Sequence, residues 1–250
     1  MLGWDMLEWQ DNGIILSVRG HGETGGIVSI LTRGHGRAMG YAYGATSAKN
    51  RGVLEIGNLV SVHWQAKSQD QLGTFTLELE KSYAADVMDD PVKLTALQAA
   101  CVLADKTLPE REKHEGVYEG TKALMASFAT DIWAATYIYW EIGLLRELGF
   151  GLDLSKCVAT GAVDNLLYVS PKSGCAVSAA AGEIYKEKLL NLPPFLRGEG
   201  RFEDNDILDG LKLTGHFLLH RVFSQAHVNL PESRLRLQDK FSMRQPSLTA

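Results

Sequence analysis

The chain has 250 residues, with 25 Lys plus Arg against 30 Asp plus Glu, a formal net charge of −5, and 45% hydrophobic and 22% charged residues. Those proportions exclude a wholly disordered, collagen-like or low-complexity chain, and the mild acidity alone gives no support for nucleic-acid binding. No apolar run reaches the ~18–20 residues that span a bilayer, and residues 1–12 carry Asp5, Glu8 and Asp11 without Lys or Arg, unlike a secretory signal; a cytoplasmic protein is expected.

The first eighty residues read as strands. Residues 13–20 and 26–33 are short, β-branched and bounded by glycine. Residues 37–44 alternate, with Met39, Tyr41 and Tyr43 on one face. Residues 58–64 put Val60, Val62 and Trp64 on one face, and 72–80 set Phe75, Leu77 and Leu79 against Thr74, Thr76, Glu78 and Glu80. Period 2 assigns each set to one side of a sheet, and the glycine-rich joints at 20–26 and 34–36 read as tight turns. Five strands with no helical pattern between them predict a small barrel, of which the OB-fold is the commonest five-stranded form. Gly20, Gly22 and Gly25 fit G-x-G-x-x-G after a strand, but the segment that follows is too short and too β-branched for a dinucleotide-binding helix, so a strand joint is the better reading.

The remainder reads as helices. One opens at Asp90-Pro91 and runs to about 106, with Leu94, Leu97, Cys101, Ala104 and Leu108 inward; a second covers about 115–129. A third runs over 131–148, capped by Thr130 or Asp131 and ended by Gly149. Its stripe of Trp133, Tyr137, Trp140, Leu144, Leu145 and Leu148 is core rather than a stacking surface. Residues 179–192 and 205–223 supply two more, separated by Pro193-Pro194. Between the third and fourth lies a ribbon-like hairpin at about 153–180 with a knuckle on each side. A structural zinc needs four thiolate or imidazole ligands, and Cys157 and Cys175 are followed at the second ligand position by the hydroxyls of Thr160 and Ser178. The expectation is a zinc ribbon without its metal, holding reduced thiols.

The search for chemistry yields little. His216 and His220 stand i, i+4 on a predicted helix without an H-E-x-x-H signature, and there is no G-x-S-x-G elbow or Walker loop. The expectation is a binding protein: no catalytic residue, no cofactor, no metal.

Together these segments resemble one family. Gly13-Ile-Ile-Leu-Ser-Val-Arg-Gly-His-Gly-Glu-Thr24, Leu31-Thr-Arg-Gly-His-Gly-Arg37, the Gly44-Ala45 step before Ser47, and Trp140-Glu-Ile-Gly-Leu-Leu-Arg-Glu-Leu-Gly-Phe-Gly-Leu152 occur in the order found in RecO, the bacterial recombination mediators of DNA repair. Lys156-Cys-Val-Ala-Thr-Gly161 and Ser170-Pro-Lys-Ser-Gly174 resemble the insert that is a zinc site in some members, and Leu230-Pro-Glu-Ser-Arg234 resembles the C-terminal signature. The likeness spans nearly the whole chain. It implies an α+β protein with an N-terminal OB-fold barrel over 1–82 and an α-helical domain over 83–250 carrying the ribbon-like insert. It also implies binding of single- and double-stranded DNA, annealing of complementary strands, and work with RecR to load RecA on DNA coated by single-strand-binding protein (SSB), with no enzyme activity. Tyr43 and Thr46 depart from the pattern, standing where that family often carries basic residues.

OB barrels hold single strands in a groove of cations and stacking aromatics. The candidate DNA-binding residues are Arg19, Arg33, Arg37, Lys49 and Arg51 in the barrel, extended by Arg221, Arg234 and Arg236 in a C-terminal stretch where, over the last thirty residues, five basic side chains face two acidic ones. Tyr41 and Tyr43 are equally readable as stacking rings or barrel core. The alternative is an adaptor for SSB and RecR with little DNA binding of its own. The arginines' placement separates the two: shared on one face they favour DNA, scattered between glutamates they favour the adaptor.

Overall fold

The computed structural model describes residues 7–68 and 70–244, apart from the side chains of Lys49, Gln225 and Ala226. They form two compact units, Met1–Ala129 and Thr130–Ala250.

The first unit begins with a closed barrel, the five-stranded OB architecture, in the order β1-β2-β3-β5-β4. Its strands are β1 (Leu7–His21), β2 (Gly25–Thr32), β3 (Gly36–Ala42), β4 (Leu59–Ala66) and β5 (Thr74–Lys81), with a short helix α1 (Ala48–Arg51) before β4. β1 pairs with β2 through its second half and with β4 through its first, and a parallel contact between β3 and β5 closes the ring. Ile15, Val28, Ile30, Val60, Val62, Trp64 and Phe75 fill the interior. Each such side chain contributes about 1.5–3 kcal/mol by leaving water. Gly40 is required here, since a Cβ would lie 2.6 Å from the Phe75 ring.

A bulge between Ile15 and Ser17 lets the successive side chains of Ile14, Ile15 and Leu16 all be buried. Ile15 points into the barrel, whereas Ile14 and Leu16, with Leu31 of β2, are buried outside it. Helix α3 (Pro91–Thr107) packs against β1 and β2. It follows a short α2 (Tyr83–Val87) and precedes α4 (Glu115–Ser127). Asp90 caps α3 by accepting from the amides of Val92 and Lys93, with Pro91 in the first turn where its missing N–H costs nothing.

In the second unit α5 (Trp133–Glu147) buries Trp133, Tyr137, Trp140, Leu144 and Leu145 as its stripe predicts. Its N-terminus differs from expectation: Ile132 holds the cap position and no side chain caps it. The ribbon is a three-stranded sheet in the order β7-β6-β8, built from β6 (Leu166–Val169), β7 (Ala176–Ser178) and β8 (Leu190–Asn191). The helix expected over 179–192 is a correction. Only α6 (Ala179–Gly182) is α-helical, followed by a 3-10 segment Glu183–Lys188 and then β8. Gly182 breaks the pattern: a Cβ there would lie 2.4 Å from Tyr168, so the chain passes close over β6 and turns to join its edge. Helix α7 (Asp204–Phe217) runs into a π-turn, Leu218–Val222, and the last element among the described residues is α8 (Glu232–Ser242), which no local periodicity announces.

Candidate nucleic-acid interface

The outward rows of the barrel follow from its register. Arg19 stands opposite Ile27, and Ile27 opposite Tyr41. Beyond this row the His21 ring meets the edge of Tyr41 at 6.1 Å, and Tyr41 meets Tyr43 at 4.8 Å and 80°. Neither tyrosine belongs to the barrel interior, and Tyr43 is 73% exposed. Gly25 makes this packing possible, because a Cβ would collide with the Tyr41 hydroxyl. Arg19 and Arg51 are exposed and make no ion pair among the described residues. The side chain of Lys49 lies outside the described residues.

The other predicted cations are engaged. Arg33 is exposed between Glu115 and Glu119, at 3.5 and 3.1 Å. Arg37 is mostly buried; its Nε donates to the Leu108 carbonyl at 2.8 Å and its Nη1 lies 3.7 Å from Asp105, so it fastens β3 to the end of α3 rather than reaching outward. Arg221 is exposed and donates to the Lys172 carbonyl. Arg236 is exposed and pairs with Glu232 one turn back. Arg234 is a correction. It is fully buried, with Nε 2.5 Å from Glu141 Oε1 and Nη2 donating to Glu141 Oε2 at 3.0 Å and to the Leu211 carbonyl at 2.7 Å. Burial works against its charge, but the Glu141 carboxylate more than offsets that and raises its pKa. No phosphate reaches it in this fold.

A second feature went unnoticed in the sequence. At the end of the barrel where β1 begins, Trp9 stands opposite Trp64 of β4. The His35 ring stacks on Trp9 at 4.3 Å and 9°, and Trp9 stacks with Trp64 at 5.6 Å and 15°. Asp11 holds His35 in place. It accepts from His35 Nδ1 at 3.0 Å, from the Gly34 amide at 2.7 Å and from the Asn12 amide at 2.8 Å. Partial burial raises the Asp11 pKa, and these hydrogen bonds outweigh it, leaving the carboxyl below its usual value. The Arg111 guanidinium lies 5.9 Å from the Trp64 ring, a cation–π distance. Its backbone is left-handed at φ 63°, fixed by its amide donating to the Arg37 carbonyl at 2.7 Å. A non-glycine residue held there costs of order 1–3 kcal/mol, and such strain clusters at ligand clamps. Trp9, Trp64, His35, Met39, Arg111 and Lys113 line a cleft of about 390 Å³. The missed signal was a pair of tryptophans at the two paired ends of β1 and β4. Trp9 precedes the apolar run that marks β1, and the polar Gln10, Asp11 and Asn12 hide the strand's true start.

The insert does not fit a zinc ion. Thr160 and Ser178 offer hydroxyls to Cys157 in place of two further thiolates. Burial resists ionisation of Cys157, but the hydroxyls of Ser178 and Thr160 and the amides of Ser178 and Ala159 bring its thiol down to about 6. Among the described residues no group of three or more His, Cys, Asp or Glu is placed to hold a metal. His216 and His220 lie 4.4 Å apart ring to ring, with His216 lowered in pKa by burial and by its neighbour. No helix of the described residues is long and apolar enough to cross a membrane.

A closed OB barrel followed by helices and a small ribbon-like sheet defines an α+β protein of the class that OB-fold nucleic-acid-binding proteins also populate. Two family descriptions match this chain: "Recombination protein O N terminal" over residues 6–83 and "Recombination protein O C terminal" over residues 88–229. It is 48% identical over 237 residues to the DNA repair protein RecO of Rhodospirillum centenum, covering 94% of this chain and 95% of that one. It is 45% identical to the RecO of Caulobacter sp. strain K31, covering 94% and 97%, and 43% identical to that of Methylocella silvestris, covering 96% and 98%. The chain belongs to the RecO family of DNA repair proteins.

Proposed function

We propose that this protein is a DNA-binding recombination mediator with no catalysis of its own. It binds single- and double-stranded DNA, anneals complementary strands, and acts with RecR to load RecA on SSB-coated DNA at the nucleoid. The observation that carries this reading is the outward row Arg19–Ile27–Tyr41, flanked by His21 and the exposed Tyr43. It pairs a cation with π-faces on an OB barrel, the chemistry by which such barrels hold strands. Family membership supports the setting in DNA repair.

One observation favours an adaptor that binds SSB and RecR instead: Arg33 faces two glutamates and Arg37 an aspartate, so two of the barrel's arginines already have carboxylate partners within the chain. The deciding experiment is titration of a fluorescent single strand at low and moderate salt, with and without SSB. Salt-sensitive binding that persists with SSB supports the mediator. Binding to SSB without binding to bare DNA overturns it in favour of the adaptor, with RecR the next partner to test.

A further inference from the structure

We propose that the cleft at the Trp9 end of the barrel holds one unstacked nucleobase of a single strand, with Arg111 and Lys113 receiving its flanking phosphates. This rests on the reading that the chain binds DNA, but it assigns a site apart from the Tyr41–Tyr43 face.

The argument begins with the stack. His35, Trp9 and Trp64 form a ladder of near-parallel rings, with interplanar angles of 9° and 15°. Barrel interiors are ordinarily sealed by aliphatic packing. Here the rings line a cleft of about 390 Å³, roomy enough for a base, with the flexible thioether side chain of Met39 beside them. Flat aromatic walls suit a π-face, and stacking on them tolerates any base. His35 belongs to the β2–β3 turn and its side chain is 42% exposed. It is held by the carboxylate of Asp11 and by its stack on Trp9, at an exposed turn rather than in the core, so the ring yields its place on Trp9 as a base enters.

Charge selects among flat ligands. Arg111 and Lys113 stand at the rim. Arg111 is engaged with Glu110 at 3.5 Å and with the Gln71 carbonyl at 3.0 Å, and Lys113 with Glu115 at 2.9 Å. Exposed pairs of this kind contribute little, so exchanging a carboxylate for a phosphate is readily done. Glu8 also lines the cleft, where its carboxylate accepts from Gln65 at 3.1 Å and lies 3.3 Å from the His63 ring. A free anion is thus poorly served, whereas a base with its backbone satisfies both walls and rim. The left-handed Arg111 is the independent sign: the chain adopts an unfavourable backbone conformation at a residue whose guanidinium lies 5.9 Å from the Trp64 ring.

The test is photocrosslinking of the full-length protein to an oligothymidine strand bearing one 5-iodouracil, with the adduct mapped by mass spectrometry, beside affinity measurements on Trp9→Ala, His35→Ala and Arg111→Gly. The glycine variant keeps the left-handed backbone and removes the guanidinium, and His35 lies in an exposed turn, so both guard against a folding defect at Trp9. The expected result is an adduct on Trp9, His35 or Trp64 and a loss of affinity on the order of tenfold for removal of a stacking ring. If the strand binds with salt sensitivity while adducts fall only on Tyr41 or Tyr43 and the three variants bind like the parent, the cleft proposal is overturned and DNA binding stands. If no strand binds at all, the reading beneath it falls as well. Uptake of an acidic peptide in the cleft with no competition from the oligonucleotide would also overturn it.

Discussion

Arg234 and Glu141 meet where water reaches neither: both side chains are fully buried, and Nε lies 2.5 Å from Oε1 across 93 residues of sequence. Thr214 completes the cluster by donating to the second carboxylate oxygen. Removing one partner strands the other charge in a dry interior. Arg234→Ala is therefore expected to destabilise the second unit by about 3–5 kcal/mol, read by denaturant unfolding. A double replacement by apolar residues of similar size, such as Glu141→Leu with Arg234→Met, is expected to recover most of the loss. Equal instability of the single and double variants would show that the pair itself, rather than the orphaned charge, holds the unit together.

The salt dependence of single-strand binding follows from which cations are available. Arg19→Ala and Arg51→Ala should each make the slope of log affinity against log salt shallower by about 0.7, the contribution of one phosphate contact on a single strand. Arg33→Ala should change it less, because Glu115 and Glu119 already face that guanidinium. Titrations at several salt concentrations separate these cases.

Acid should loosen the turn that carries His35. The folded pKa of Asp11 lies below its usual 3.8, with partial burial opposing the shift and hydrogen bonds from Gly34, His35 and Asn12 overcoming it. Its contribution is complete above the usual value and disappears as the pH falls through the lower, folded one. Asp11→Asn should thus be less stable than the parent near neutrality and converge with it in strong acid. Unfolding curves at a series of pH values check this.

For Cys157 the ordinary thiol value of 9.0 falls to about 6, burial opposing the shift and the hydroxyls of Ser178 and Thr160 driving it. The thiolate's ultraviolet absorbance should appear near that pH and vanish in Cys157→Ser. Thr160→Val should push the transition back up. The associated stability is complete above pH 9.0 and lost as the pH falls through about 6. A chelator should leave the melting temperature unchanged, since two hydroxyls stand where zinc needs thiolates.

Much of the fold was legible because its signals are local. Val60, Val62 and Trp64 announce β4 by period, and Asp90-Pro91 announces α3 by cap and N1 chemistry. What escaped depends on residues far away in sequence. Leu7–Asn12 is a strand because β4 pairs with it, not because its own pattern alternates. The alanine-rich start at 179 reads as helix until Tyr168 is seen to need the space above Gly182. Arg234 and Arg37 read as surface cations, since nothing beside them in sequence reveals Glu141, Asp105 or the Leu108 carbonyl. The cleft was hidden for the same reason: Trp9, His35 and Arg111 sit on three separate segments, each of which alone is unremarkable.

The bulge at Leu16 gives β1 two interiors to serve, one inside the barrel through Ile15 and one beneath α3 through Ile14 and Leu16. A fragment ending after β5 would carry Ile14, Leu16 and Leu31 on a bare outer wall, an apolar patch that invites self-association. Anyone cutting this protein to study the barrel alone should therefore expect an insoluble or oligomeric product, and would do better to leave α3, which covers that wall, attached together with the other helices of the same compact unit, α2 and α4.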